Sequence, residues 1–493
     1  MLTERVLSTG GGRDPSTFSS WVGGSFDEVA GSPHVEILDP ATSTPIARVA
    51  EAGPAGVERA VVAAERAAPG WRDVPARERA ALVLEFADRI AANADRLALL
   101  DSLDTGNPLT AMRADIDKGV RSLTDSAGLA LQAKGEVFPL PGLHYTQREP
   151  WGVVGRMITF NHPAMFACAR LGAALVAGNA VILKPSELAP LSTLAIAEMS
   201  SGIFPDGVVS AVVGGPDTGA ALVAHPAVLR ISFTGSTATA LRIQATAAAS
   251  GRVKTISFEL GGKNPIIVFP DVDLDEVAAA IVRGMNYTRV QGQSCGSTSR
   301  LVVHDTIAAP VLERIADLVG RIRIGRPTDP ATEMGSLISR AARDRCLAVV
   351  DRAVAAGARV VAGGRIPDAP ELADGAFLEA TVLDGVAPSS ELACEEVFGP
   401  VLAAMTFGTE QEAVDVANLG HYGLTAAVWT GDIDRALRTV NRLEAGYVWV
   451  NDVETRYPAM PFGGWRDSGV GVEHGLEEIL SFTRLRSVNI RVR

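Results

Sequence analysis

From residue 153 the chain alternates short apolar runs with Ala-rich helical stretches, and few architectures accommodate that rhythm. The runs VVGRMIT (153–159), AVILK (180–184), VVSAVVG (208–214), RISFTG (230–235) and VKTISFEL (253–260) are separated by helical spacing at 164–177, 191–201 and 236–250. Strands that are apolar on both faces, each followed by a helix, predict a parallel sheet covered on both sides. A second alternation follows Pro265: helix 274–289 and strand 300–304, helix 347–356 and strand 359–362, helix 411–417 and strand 424–430, helix 434–443 and strand 447–451. Upstream, 57–68 and 77–92 also have helical spacing, and the first 15 residues read as a loose tail. The expected fold class is α/β, with two doubly wound parallel sheets.

Two segments fit neither alternation, 135–150 and the terminal SVNIRVR (487–493). In the latter, Val488, Ile490 and Val492 share one face and Asn489, Arg491 and Arg493 the other. A half-apolar strand at a chain end needs a cover, from its own chain or from a second subunit. Charge narrows the remaining partners. With 45 basic and 57 acidic residues the net charge is −12, which argues against nucleic acid or an anionic membrane surface. No apolar run reaches 18 residues and the N-terminus has no secretory-type apolar core, so a cytoplasmic protein is expected. The four cysteines contain no C-x-x-C pair, which makes a disulfide framework or a bound metal an unlooked-for feature. Only Lys118, Lys134, Lys184, Lys254 and Lys263 are lysine in a chain that otherwise writes Arg, so each marks a candidate place for a compact ammonium.

The strand ends carry the unusual residues, and ligands of doubly wound sheets bind at strand carboxyl ends. Asn161, in ITFNHPAMF, is a helix cap or a donor to a developing oxyanion. Its neighbour His162 is given a structural role. Lys184 and Glu187, in LKPSELAP, could hold the two hydroxyls of a ribose or cap the next helix. Gly235 and Ser236, in FTGSTATA, open a helix that could face a pyrophosphate, although the G-x-G-x-x-G fingerprint is missing. Glu259, in FELGGKNP, is a structurally paired carboxylate or a base with raised pKa. Cys295, in VQGQSCGSTSR, has the small polar neighbours that let a substrate carbon reach sulfur. Glu396 and Phe398, in CEEVFGPV, could clamp a sugar and pack a flat ring, or form an ordinary turn.

The strings TFNHP, LKPSE, FTGS, FELGGKNP, GQSC, EEVFGP and PFGG occur in an order that resembles the aldehyde dehydrogenase superfamily, from LDPAT (38–42) to PFGGWRDSG (461–469). The resemblance implies a cofactor domain from 1–130 and 151–261, a catalytic domain at 262–475, and a bridging arm from 131–150 and 476–493. It implies a homodimer or homotetramer. Cys295 would attack the aldehyde, Asn161 and the Cys295 backbone N–H would hold the oxyanion, and Glu259 would activate the hydrolytic water. Lys184, Glu187, Gly235, Ser236, Glu396 and Phe398 would bind NAD, with NADP possible because Lys184 accompanies the Glu187 carboxylate. Phe160 stands where the family commonly has Trp, Ala240 where it has Gly, and HPAM follows the asparagine in place of a more usual F-P. A coenzyme A-acylating enzyme, a cysteine esterase and a non-catalytic binding protein are the rival readings. Arg289 and Arg456 are candidates to hold a substrate carboxylate, but in so Arg-rich a chain both are expected to face solvent.

Overall fold

The computed structural model describes residues 16–457 and 460–491; the tail 1–15 and the last two residues of SVNIRVR lie outside them. Five parallel strands form the centre of the first sheet, in the order Thr255–Glu259, Val228–Thr234, Val153–Met157, Ala180–Lys184, Val209–Ala211. The first strand in sequence is therefore central. Strand order reverses between Val153–Met157 and Val228–Thr234, opening a crevice at their carboxyl ends. Antiparallel strands extend both edges, Gly469–Val470 beside Thr255–Glu259, and Ser20–Val22 with Ser25–Asp27 at the other side. The chain thus returns to the first sheet before residue 475, inside the segment assigned from sequence to the second domain.

The second sheet has seven strands, of which six run parallel: Thr381–Asp384, Val401–Phe407, Arg300–His304, Pro265–Val268, Thr425–Trp429 and Tyr447–Val450, with Arg359–Ala362 antiparallel at one edge. Strands such as Ala180–Lys184 and Pro265–Val268 are buried along their whole length, as continuous apolar runs require. Helices cover both sheets, and separate apolar clusters centred on Leu183 and Ile231 lie on opposite faces of the first. No described helix is long and apolar enough to cross a membrane.

Two helices break where apolar spacing predicts continuity. The stretch expected at 164–177 is two helices, Pro163–Cys168 and Leu171–Val176, because Arg170 adopts φ +61°. The stretch expected at 274–289 divides into Leu274–Gly284 and Tyr287–Val290 at Asn286, φ +57°. Left-handed backbone is costly outside glycine and is held by tertiary contacts. A third sheet, Thr483–Ile490 with Leu143–Pro150 and Val137–Phe138, projects as the arm. The terminal strand finds its hydrogen-bonding partner within its own chain, while Val137, Phe138, Leu140, Leu143, Leu485 and Ile490 stay exposed.

Candidate active site

The switch crevice gathers residues from four adjacent strand ends. Glu259 is the last residue of its strand and stands in register with Thr234, beside which Gly235 and Ser236 begin the next helix. Gly235 N–H donates to the Glu259 carbonyl at 3.0 Å. Asn161 follows the next strand, and Lys184 ends the one after it. The Ser236 hydroxyl caps helix Thr237–Ala249 by accepting from Thr239 N–H. The Lys184 ammonium is 3.6 Å from the Glu187 carboxylate and donates to the Pro185 carbonyl. Burial lowers the Lys184 pKa while Glu187 counters it.

Cys295 arrives from the second sheet on the loop after Tyr287–Val290. Three hydrogen bonds fix that loop, one from the first sheet and two from the start of a second-sheet strand. Asn161 Nδ2 donates to the Gln293 carbonyl at 2.8 Å, and Asn264 Nδ2 donates to the carbonyls of Cys295 and Ser297 at 2.7 and 2.8 Å. Asn264 Oδ1 in turn accepts from Thr425 N–H at 3.0 Å. The glycines after Glu259 are needed for close approach: a Cβ at Gly261 would meet Glu396 Oε2 at 2.3 Å, and one at Gly262 the Cys295 carbonyl at 2.7 Å. Glu396 accepts from Gly262 N–H at 3.1 Å, and burial raises its pKa to about 7. Phe398, at φ +52°, packs edge-to-face on Phe160 with centroids 5.8 Å apart. The Phe160 that departs from the family pattern thus still supplies an aromatic neighbour.

Glu259 is 3% exposed and neither carboxylate oxygen has a hydrogen-bond partner. Burial, reinforced by Glu473, drives its pKa well above the carboxylate range, and Arg170 opposes this from 3.6 Å. The same guanidinium pairs with Glu473 and lies 3.9 Å from Glu478. Burial pushes the Cys295 thiol up to about 12, Arg456 pulls it back, and the Glu259 charge acts with burial.

Cys295 opens into a cavity of about 420 Å³ that His162, Met165, Phe166, Arg289, Trp449 and Arg456 also line. Asn161 and Glu259 do not line it. His162 is buried, in keeping with its expected structural role, Arg289 is only half-buried, against the solvent-facing expectation, and Arg456 is exposed, in keeping with it, although all three line the cavity. Asp115, fully buried, holds two of them: its carboxylate accepts from His162 Nδ1 at 2.5 Å and pairs with Arg289. Sequence reading passed over Asp115, Arg170, Asn264 and Glu473. Of these only Asn264 sat inside a marked string, FELGGKNP.

The chain belongs to the aldehyde dehydrogenase family, whose sequence profile matches residues 28–488. It is an enzyme of that class. Similar proteins include aldehyde dehydrogenase tropH of Talaromyces stipitatus, 42% identical over 93% of this chain and 90% of that one. The betaine aldehyde dehydrogenase of Cereibacter sphaeroides is 40% identical over 95% of this chain and 96% of its own. Among solved structures, PnpE in complex with nicotinamide adenine dinucleotide superimposes with a TM-score of 0.93 at 39% identity, covering 96% of this chain and 98% of that chain.

Proposed function

We propose that this enzyme oxidises an aldehyde to its carboxylic acid, using Cys295 as nucleophile, Glu259 as general base and NAD as electron acceptor. The Cys295 thiol gives up its proton to water and the resulting thiolate bonds to the aldehyde carbon as the C=O π bond opens, giving a thiohemiacetal oxyanion. The second N–H of Asn161 and the Cys295 backbone N–H would donate to this oxyanion, each donor contributing about 3 kcal/mol. Bound NAD supplies the acceptor for the hydride that leaves this carbon, and a thioester stays on sulfur. Glu259 then takes a proton from water as the water attacks the thioester, releasing the acid and the thiol. The observation that carries this reading is the buried Glu259 carboxylate, unbonded at both oxygens and beside the nucleophile. Acyl transfer to coenzyme A would have no use for it.

The residues present fit the cofactor. An ammonium and a carboxylate 3.6 Å apart match vicinal ribose hydroxyls, and the Ser236 helix start faces the switch crevice. Glu187 repels a 2′-phosphate, which favours NAD over NADP, and Lys184 moderates that preference. Gly235 would lie beside the pyrophosphate, with Glu396 and Phe398 positioning the nicotinamide half.

Glu259→Gln, mixed with NAD and butanal, is expected to release one equivalent of reduced nicotinamide per site and then turn over at least about 100-fold more slowly than wild type. Wild-type reduction that requires coenzyme A, or a variant with unchanged turnover, would overturn the assignment. We propose further that residues 1–130 and 151–261 form the cofactor domain, that 262–475 forms the catalytic domain apart from strand Gly469–Val470, which returns to the first sheet, and that the arm joins copies of the chain into a homodimer or homotetramer.

A further inference from the structure

The cavity in front of Cys295 carries four basic side chains, Lys118, Arg121, Arg289 and Arg456. Their partners set them apart. Arg289 is engaged by the buried Asp115 carboxylate, which also lies 3.7 Å from Lys118. On the acidic side, Glu473 is held by Arg170, and burial pushes the Glu454 carboxyl above its ordinary pKa. Among the described residues neither Arg121 nor Arg456 has an ion-pair partner, and both are exposed at the cavity, but it is Arg456 that reaches the Cys295 loop. Its guanidinium stacks on the Phe462 ring, 4.0 Å from the centroid, which fixes its plane without neutralising its charge. It also stands close to the nucleophile: a Cβ at Gly296, the residue after Cys295, would lie 2.6 Å from Arg456 Nη2.

We infer that the substrate is an aldehyde carrying a carboxylate, and that Arg456 binds the carboxylate while Cys295 takes the carbonyl. This rests on the Cys295 and Glu259 assignment above. A guanidinium donates two parallel charge-assisted hydrogen bonds to a carboxylate. A site built for such a partner loses much of its binding when the partner is missing, because the cation then stays unmatched. A quaternary ammonium aldehyde meets the opposite condition, a like charge next to the thiol. Met165, Phe166 and Trp449 give the substrate stem an apolar wall, and the nearness of Arg456 to Cys295 selects a short spacer between the two carbonyl carbons.

The test compares kcat/KM for succinic semialdehyde, butanal and betaine aldehyde in wild type, Arg456→Lys and Arg456→Gln. Wild type is expected to prefer succinic semialdehyde over butanal by about tenfold or more, with betaine aldehyde poorest. Arg456→Gln lowers that ratio by about tenfold through the KM for the semialdehyde, and Arg456→Lys falls between. An absent preference, or equal losses for both aldehydes, overturns the proposal. A second readout needs no turnover: succinate slows alkylation of Cys295 by iodoacetamide more than succinamide does in wild type, and not in Arg456→Gln. If no aldehyde is oxidised, the Cys295 and Glu259 assignment fails, and the protection experiment alone decides for or against carboxylate binding.

Discussion

A single arginine connects the proposed base to a distant part of the chain. Arg170 lies between Glu259, Glu473 and Glu478, and its left-handed backbone breaks a helix to put it there. Glu473 therefore acts on Glu259 in two ways, by its own negative charge and by drawing the guanidinium away. Both hold the base pKa up. Glu473→Gln removes both, so the pH limb along which acyl-enzyme hydrolysis rises should move to lower pH, read by single-turnover decay between pH 5 and 9. The same variant leaves a buried cation less compensated and should cost about 3 kcal/mol in urea unfolding. At this scale the sequence was informative where chemistry sits next to a strand end. Asn161, Glu259 and Cys295 converge, and burial lowers the pKa of four of the five lysines, Lys118, Lys184, Lys254 and Lys263. It was silent on Asp115 and on its pairing with His162, which spans 47 positions and has no local pattern.

Among the elements, the helix Ala94–Thr105 is what steadies the crevice. Asp101 Oδ2 accepts from Ala164 N–H at 3.1 Å, in the helix that follows Asn161. Asp104 Oδ2 accepts from Leu191 N–H at 3.3 Å, in the helix that follows the Lys184 loop. One helix thus caps two others through carboxylates three residues apart. Just beyond it, Asn107 Nδ2 donates to the Asn161 carbonyl at 3.0 Å. Burial raises Asp101 to about 7, from an unfolded value of 3.8. Its contribution to stability is therefore complete below about pH 4 and lost as pH rises through 7. Asp101→Asn keeps the acceptor and has nothing to ionise. Relative to this variant, wild type should lose stability between about pH 4 and pH 7, by at most about 1.4 kcal/mol per unit in urea titrations, and no more above that range. The strands were legible because burial on both faces leaves a continuous apolar run. The helix breaks at Arg170 and Asn286 were not, since apolar spacing continues through both and only contacts elsewhere in the fold impose the left-handed turn.

For the whole molecule, the arm is the feature without a partner in one chain. Its strands satisfy each other along the hydrogen-bonding direction while six large apolar side chains remain in water. Light scattering after size exclusion should give a mass two or four times that of the chain, and Leu143→Arg with Leu485→Arg should reduce it. A wild-type mass equal to one chain would overturn the oligomer. The arm's last strand also bears on how the enzyme is made. Strand Gly469–Val470, Glu473 and strand Thr483–Ile490 all dock onto parts of the first sheet and arm that emerge from the ribosome hundreds of residues earlier. A nascent chain displays Cys295 and Glu259 long before Glu473 is made, so Arg170 receives its main counter-charge late. The site is thus completed only after residue 473 has left the ribosome, and a chain cut short before it carries the proposed nucleophile with the proposed base still untuned.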